Sequence, residues 1–277
     1  MKIGINREQC RSIHFGAIAL FYMIAIALRL TTLAIGNKYP TISANYLFQI
    51  STGLGPTIGA IVVMAVFKRR TEYTVMGKSV WKSIVTIVVP CLVFGIIGGV
   101  DMGGLCLLAF TYGMLEEYGW RGFLQYELRQ LPTWQYVLII TVMWFLWHLD
   151  FNQRNVLLFF LLLLFASLGI GKVATDTHSL LFCAAFHGIV NFSKRGLLSD
   201  TTFLIAFICI IMFWIVMWYF VNSPKKQNKY NEDTSGTNSS ASSRRERSNK
   251  KHVVSMMCPS RSPGRDGRRG GFLRSNE

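Results

Sequence analysis

Charged residues are scarce in this sequence. Asp, Glu, Lys and Arg together make up 16% of its residues, against roughly 25% in an average soluble domain. Hydrophobic residues make up 51% and fall in long blocks that the core of a soluble protein does not need. This composition excludes an ordinary soluble domain and indicates an integral membrane protein.

Cysteines with metal-binding spacing are also lacking. The six cysteines include no CxxC pair, and four of them lie inside apolar segments. We therefore expect reduced, packed cysteines rather than a disulfide framework or a cysteine-based zinc site. The six are Cys10, Cys91, Cys106, Cys183, Cys209 and Cys258.

Eight apolar segments approach the length of a membrane-spanning helix, which needs about 20 mostly apolar residues. They predict an all-α fold, a polytopic membrane helical bundle over residues 1–222 with about eight transmembrane helices. Seven is the fallback count, because the sixth and seventh segments are short. The predicted spans are His14–Ile35, Tyr46–Phe67, Ser83–Val100, Gly103–Leu128, Trp134–Leu149, Val156–Ile170, Ser179–Phe192 and Thr202–Val221.

Basic residues cluster at both ends of the predicted bundle and in its second loop. An even number of spans places all three clusters on one side of the membrane. The positive-inside rule then predicts cytoplasmic N- and C-termini, and we expect the plasma membrane as the location. Lys194 and Arg195 are a mild exception. The clusters comprise Lys2, Arg7, Arg11, Lys68, Arg69, Arg70, Lys78, Lys82, Lys225, Lys226 and Lys229.

The last fifth of the chain has a different composition. Residues 223–277 carry 13 Lys and Arg against 5 Asp and Glu, a net charge of +8 out of +15 for the chain. Rich in Ser, Asn and Gly, they bury too little apolar area to fold, which predicts a disordered basic tail. On a membrane protein, such a tail indicates proximity to the anionic lipid of the bilayer rather than a nucleic-acid partner.

Ionisable residues inside apolar spans mark candidate functional sites, because they are costly in the membrane. Glu116, Glu117 and Arg121 interrupt the fourth span. On an α-helix, Glu117 and Arg121 share a face and can pair, while Glu116 points about 100° away. The alternative is a cytoplasmic loop with both acids solvated, in which Gly119 and Gly122 mark a helix end.

Two further segments carry histidine. His148 follows Trp144 by one helical turn, and His187 and Asn191 lie four residues apart on one face. A lone histidine such as His148 on an apolar helix is more often a hydrogen-bonded core residue, whereas His187 with Asn191 is as consistent with a core pair as with a functional one. The rise of 1.5 Å per residue nevertheless puts Glu116 and His148 at similar depth in antiparallel neighbouring helices. A carboxylate, two imidazoles and an amide at one level indicate a catalytic site or an ion path.

Arg29 is a further ionisable residue, inside the first predicted span. It lies close enough to the helix end for its side chain to reach the membrane surface, so we expect it to snorkel rather than to function.

These three segments together resemble the CPBP family of intramembrane proteases, which includes the type II CAAX prenyl endopeptidases. That family has the motifs EExxxR, FxxxH and HxxxN. Glu116, Glu117 and Arg121 match the first motif, His148 the second, and His187 with Asn191 the third. Trp144 stands where the second motif has Phe, which keeps an aromatic residue. The resemblance covers a motif-bearing core, residues 103–192.

The resemblance implies hydrolysis of a peptide bond by an activated water. Glu116 with His148 would act as the general base, and His187 with Asn191 would donate hydrogen bonds to the oxyanion. Glu117 with Arg121 would support the site or grip substrate.

A metal is a second option for this site. No cofactor is expected, although Glu116, His148 and His187 could bind zinc. The zinc motif HExxH is absent, and the three ligands would come from separate helices. The GxSxG and GxGD motifs of serine and aspartyl proteases are absent as well.

The expected activity is therefore that of a CAAX-type intramembrane endopeptidase. Its substrate would be a prenylated CaaX-type peptide, a bacteriocin or leader-type peptide, or a membrane protein, reaching the site from the membrane or its cytoplasmic side. Two other functions stay open: a non-catalytic bacteriocin-immunity or scaffold protein, and a proton- or cation-coupled transporter in which Glu116, His148 and His187 form a relay.

Overall fold

A computed structural model describes residues 13–151, 155–194 and 196–222. Within these ranges the chain is helical and has no strand, apart from an isolated parallel bridge between Thr74 and Ser179. The α-helices are α1 Phe15–Lys38, α2 Pro40–Ser43, α3 Tyr46–Ser51, α4 Leu54–Val66, α5 Val80–Gly98, α6 Val100–Glu117, α7 Tyr126–Leu128, α8 Thr133–His148, α9 Val156–Thr177, α10 Leu180–Ser193 and α11 Thr201–Asn222. A π-helix covers Tyr118–Gln125, and a 3₁₀ turn covers Leu197–Ser199.

The helices confirm an all-α membrane protein. Four of them, α1, α5, α9 and α11, are long and apolar enough to cross a bilayer. Shorter apolar helices, α4 and α10 among them, coincide with other predicted spans. The count of eight transmembrane helices therefore stays a prediction.

Three predicted spans differ from the observed helices. Tyr46–Phe67 is divided into α3 and α4 by Thr52 and Gly53. Val156–Ile170 is part of a longer helix of 22 residues, so the sixth span is not short. Gly103–Leu128 begins as α-helix and continues as π-helix, a change of period that the apolar pattern does not encode.

Helix α6 lies at the centre of the bundle, packed against α5 and α10, while α1 packs against α4. Small residues allow the closest approach. A Cβ atom built on Gly113 of α6 would lie 2.9 Å from the carbonyl oxygen of Ala184, and one on Gly188 of α10 would lie 2.8 Å from that of Ala109. Close backbone contact at small residues is typical of helix packing in membranes. It brings the acidic pair of α6 against His187.

Several predictions fall outside the described residues. The disordered basic tail of residues 223–277 lies there, as do the basic N-terminal residues and two of the six cysteines. The other four cysteines, Cys91, Cys106, Cys183 and Cys209, are free, as predicted.

Candidate active site

The acidic motif is buried in the middle of the bundle. Glu116, Glu117 and Arg121 all have 0% of their surface exposed, so the alternative of a solvated loop is wrong. The helix changes from α to π directly after Glu117. Short π-helical segments occur frequently at functional sites. Here Gly119 and Gly122 lie inside the π-helix instead of marking a helix end.

Glu117 joins two motifs. Its carboxylate lies 3.2 Å from Nη1 of Arg121 and 2.8 Å from Nδ1 of His187. The predicted pairing with Arg121 is therefore present, and His187 is a second partner that the sequence did not predict. Because the Glu117 carboxylate accepts this hydrogen bond, Nδ1 of His187 is the donor. Nε2 of the ring therefore points away from Glu117.

Glu116 points to a different set of partners. Its Oε2 accepts a hydrogen bond of 2.7 Å from the indole N–H of Trp144 and lies 4.0 Å from Nε2 of His187. Its Oε1 has no hydrogen-bond partner in the described part of the chain, although the Tyr112 side chain lies near the carboxylate. Glu116 thus keeps one oxygen available.

His148 lies at the end of α8, among aromatic rings. Its ring stacks with Trp144 at a centroid distance of 6.2 Å and contacts Phe159 at 5.1 Å. It is close enough to Glu116 and His187 to interact with both electrostatically. Trp144 connects the two histidines, because its ring also packs on His187 at 5.1 Å.

A cavity of about 360 Å³ lies beside these residues. Tyr112, His148 and Asn191 line it. A smaller cavity of about 50 Å³ has Trp144 and His187 in its wall and shares His148 and Asn191 with the larger one. Nδ2 of Asn191 has no acceptor among the described residues. An amide donor and the two histidines therefore face space that a ligand can enter.

The sequence motifs assigned no chemical role to three residues of this site. Trp144 matches the aromatic position of the second motif, and its N–H also donates a hydrogen bond to Glu116. Tyr112 lies one turn before Glu116 and packs on His187 at a centroid distance of 6.3 Å. Arg29 lines the large cavity, and its snorkelling stays a prediction. Helical spacing from Glu116 could have identified Tyr112, but nothing local points to Arg29.

The three candidate zinc ligands do not form a preassembled set in the described chain, and zinc binding stays a prediction. No group of three or more His, Cys, Asp or Glu side chains in the described ranges has a metal-binding arrangement. The carboxylate oxygen nearest His187 already accepts the Trp144 N–H. Glu116 is hydrogen-bonded to Trp144, and His187 is hydrogen-bonded to Glu117.

Comparison with known proteins agrees with the motifs. Residues 100–193 match the family model described as Type II CAAX prenyl endopeptidase Rce1-like. The matched segment contains all three motifs, so the predicted resemblance to the CPBP family is confirmed. Because this is a protease family, the match supports a hydrolase at the level of the family. No curated protein and no solved structure matches the chain.

Proposed function

We propose that this integral membrane protein, similar over residues 100–193 to the Rce1-like type II CAAX prenyl endopeptidases, is an intramembrane endopeptidase that uses Glu116 to activate water. One observation carries the proposal. A fully buried carboxylate keeps an oxygen without a partner among the described residues, and its neighbours Trp144 and His187 line a cavity. An unsatisfied buried acceptor is costly, and a water molecule relieves that cost.

The reaction needs a base for the water. As the water oxygen attacks the carbonyl carbon of the substrate, Glu116 takes the proton, and it later gives that proton to the leaving amine nitrogen. His148 lines the cavity and is close enough to Glu116 to interact with it electrostatically, and it helps to hold the water. The Trp144 N–H fixes Oε2, so Oε1 is the oxygen left for proton transfer.

The oxyanion needs donors. Asn191 supplies Nδ2, which has no acceptor within the described part of the chain. Nε2 is the ring nitrogen of His187 left for the substrate, because Nδ1 is engaged with Glu117. Glu116 and Glu117 flank the ring. Preorganised donors of this kind typically contribute a factor of about 10² to 10³ each.

Glu117 and Arg121 act on His187 rather than on substrate. The arginine is fully buried and lies 3.2 Å from Glu117, which in turn lies 2.8 Å from His187. A buried ion pair in contact with an imidazole fixes the orientation of that ring. We therefore assign this pair to support of the site.

The substrate to test is a peptide segment, for which a cavity of about 360 Å³ lies within the range of ligand pockets. The two chemical classes to test are a prenylated CaaX-type peptide and a leader-type peptide without a lipid.

Glu116→Gln tests the proposal. The glutamine keeps the size of the side chain and an oxygen for the Trp144 N–H, but it cannot accept the proton. We expect cleavage of the peptide substrates by the purified protein to fall by a factor of about 10² to 10⁴ with an unchanged unfolding temperature. Cleavage at the wild-type rate would exclude Glu116 as the base. If Glu116→Gln instead abolishes ion-coupled uptake, and neither the variant nor the wild-type protein cleaves peptide, the protein is a transporter.

A further inference from the structure

We propose that a second polar cavity of this protein binds an anionic phospholipid whose headgroup carries a hydroxyl. The cavity has a volume of about 370 Å³, and Tyr73, Tyr126 and Tyr136 line it, so we call it the tyrosine cavity. None of its described lining residues belongs to either cavity beside Glu116. The inference is therefore independent of the proposed protease function.

The tyrosine cavity lies at the other end of α8 from the candidate active site. Thr133, the first residue of α8, lines it, whereas His148, the last residue, lines the catalytic cavity. Their separation of 15 residues corresponds to roughly 22 Å at a rise of 1.5 Å per residue. This is most of the thickness of a hydrocarbon core of about 30 Å, so the two cavities lie near opposite surfaces of the membrane.

Exposed tryptophans mark the level of the membrane surface at this end. Trp134, next to Thr133, has 65% of its surface exposed. Trp81, in the first turn of α5, follows the loop that contributes Tyr73 to the cavity and has 72% of its surface exposed. Tryptophan is enriched where lipid headgroups lie. The headgroups of the adjacent leaflet are therefore at the height of the tyrosine cavity.

Tyr126 organises the polar wall of this cavity. Its hydroxyl donates a hydrogen bond of 3.2 Å to Oε1 of Glu72, and the guanidinium carbon of Arg129 lies 3.8 Å from the centroid of its ring. The ring of Tyr73 packs edge-on against that of Tyr126 at a centroid distance of 5.7 Å. A cation and a carboxylate are thus held in place around one buried phenol.

The surroundings of the cavity favour a ligand with a net negative charge. Arg129 lines the cavity, and the loop that supplies Glu72 also carries the exposed cations Arg70 and Lys78. A planar guanidinium matches two oxygens of a phosphate. Basic pockets at the membrane surface bind anionic lipid headgroups. The phosphodiester of a lipid is the group that meets these conditions.

Glu72 needs a donor beside that phosphate, because a carboxylate only accepts hydrogen bonds. A hydroxyl of the headgroup can donate to it without adding positive charge among the basic residues, as an ammonium would. Gln125 is a second acceptor in the lining, since its Oε1 has no donor within the described part of the chain. The matching ligand is a phosphodiester with a hydroxylated substituent, such as phosphatidylglycerol.

The experiment measures binding of short-chain lipids to the purified full-length protein in detergent. Phosphatidylglycerol is compared with phosphatidylethanol, which has the same charge and no headgroup hydroxyl, and with the zwitterionic phosphatidylethanolamine and phosphatidylcholine. Glycerophosphoglycerol, the headgroup without acyl chains, distinguishes a lipid ligand from a soluble one. The variants are Arg129→Gln and Glu72→Ala. Arg70→Gln is the matched control, because Arg70 is an exposed cation outside the lining.

We expect phosphatidylglycerol to bind roughly 10- to 100-fold more tightly than phosphatidylethanol, the range for a hydrogen bond to a charged group. Both zwitterionic lipids should bind more weakly still. Arg129→Gln should weaken binding of the two anionic lipids by a similar factor. Glu72→Ala should weaken binding of phosphatidylglycerol alone, and Arg70→Gln should preserve the preference.

Three results overturn the inference: equal binding of phosphatidylglycerol and phosphatidylethanol, tighter binding of phosphatidylethanolamine, or an equal loss in Arg70→Gln and Arg129→Gln. Binding of glycerophosphoglycerol as tightly as the lipid would assign the cavity to a soluble ligand and reject the lipid. Thermal unfolding without lipid checks the fold of each variant. If Arg129→Gln does not fold, the lipid preference and its loss in Glu72→Ala, a change at an exposed residue, decide the outcome.

Discussion

At the residue scale, Trp144 gives the clearest test of how the carboxylate is held. Its indole N–H lies 2.7 Å from Oε2 of Glu116, a bond that the Phe of the family motif cannot make. Trp144→Phe keeps an aromatic ring against His187 but removes the donor. A hydrogen bond to a charged group is worth about 1.5 to 3 kcal/mol, so we expect kcat to fall roughly 10- to 100-fold.

Trp214→Phe is the control for this substitution. Trp214 is also fully buried and donates its N–H, here to the carbonyl oxygen of Thr86 between α11 and α5. Loss of that bond should lower stability by about 0.5 to 1.5 kcal/mol and leave kcat on the same peptide unchanged. Equal effects of the two substitutions on kcat would show that Trp144 has no specific role.

At the element scale, the approach of α6 to α10 determines whether His187 reaches Glu117. Gly188→Ala places a methyl group 2.8 Å from the carbonyl oxygen of Ala109, so the helices must separate. We expect a loss of about 1 to 3 kcal/mol in stability from overpacking. Displacement of His187 by about 1 Å should cost on the order of 10²-fold in peptide cleavage.

Gly169→Ala provides the comparison, because a Cβ atom at Gly169 in α9 meets nothing within 4 Å. This change should stabilise the helix by roughly 0.5 to 1 kcal/mol and leave cleavage unchanged. Thermal unfolding and peptide cleavage are measured on both variants. Full activity in Gly188→Ala would contradict the requirement for close packing.

At the scale of the whole molecule, the two ends of the bundle differ in their content of basic residues. The backbone N–H of His14 donates to Glu127, and Arg69 pairs with the same carboxylate, so the start of α1 and the loop between α4 and α5 share one end. Tyr46 lines the catalytic cavity and follows the C-terminal end of α1 in the chain. The cavity therefore lies toward the end of the bundle opposite to the start of α1. The shared end carries the basic cluster Lys68, Arg69, Arg70, Lys78 and Lys82.

The positive-inside rule therefore predicts a cavity on the side of the membrane opposite to the cytoplasm, which differs from the cytoplasmic approach expected for the substrate. Single cysteines at exposed positions test this in a variant without native cysteines. Thr41→Cys, near the cavity end, should react with an impermeant maleimide on intact cells. Arg70→Cys should react only after permeabilisation. The reverse pattern would place the cavity in the cytoplasm and favour a prenylated cytosolic substrate.

The sequence by itself determined that this is a helical membrane protein, and it predicted the candidate site residues that carry the family motifs. Long apolar blocks leave the backbone no alternative to helix in a bilayer. Because polar groups are costly there, Glu116, His148 and His187 stand out without any structure. Their order along the chain was enough for the resemblance to the CPBP family.

Only the tertiary structure decided which side chain meets which. The contact of Glu117 with His187 depends on two helices that are distant in sequence and approach at glycines. The place of Arg29 depends on α1 packing beside the end of α8. Helical periodicity assigns a residue to a face of its own helix, but the partner of that face follows from side-chain packing across the whole bundle.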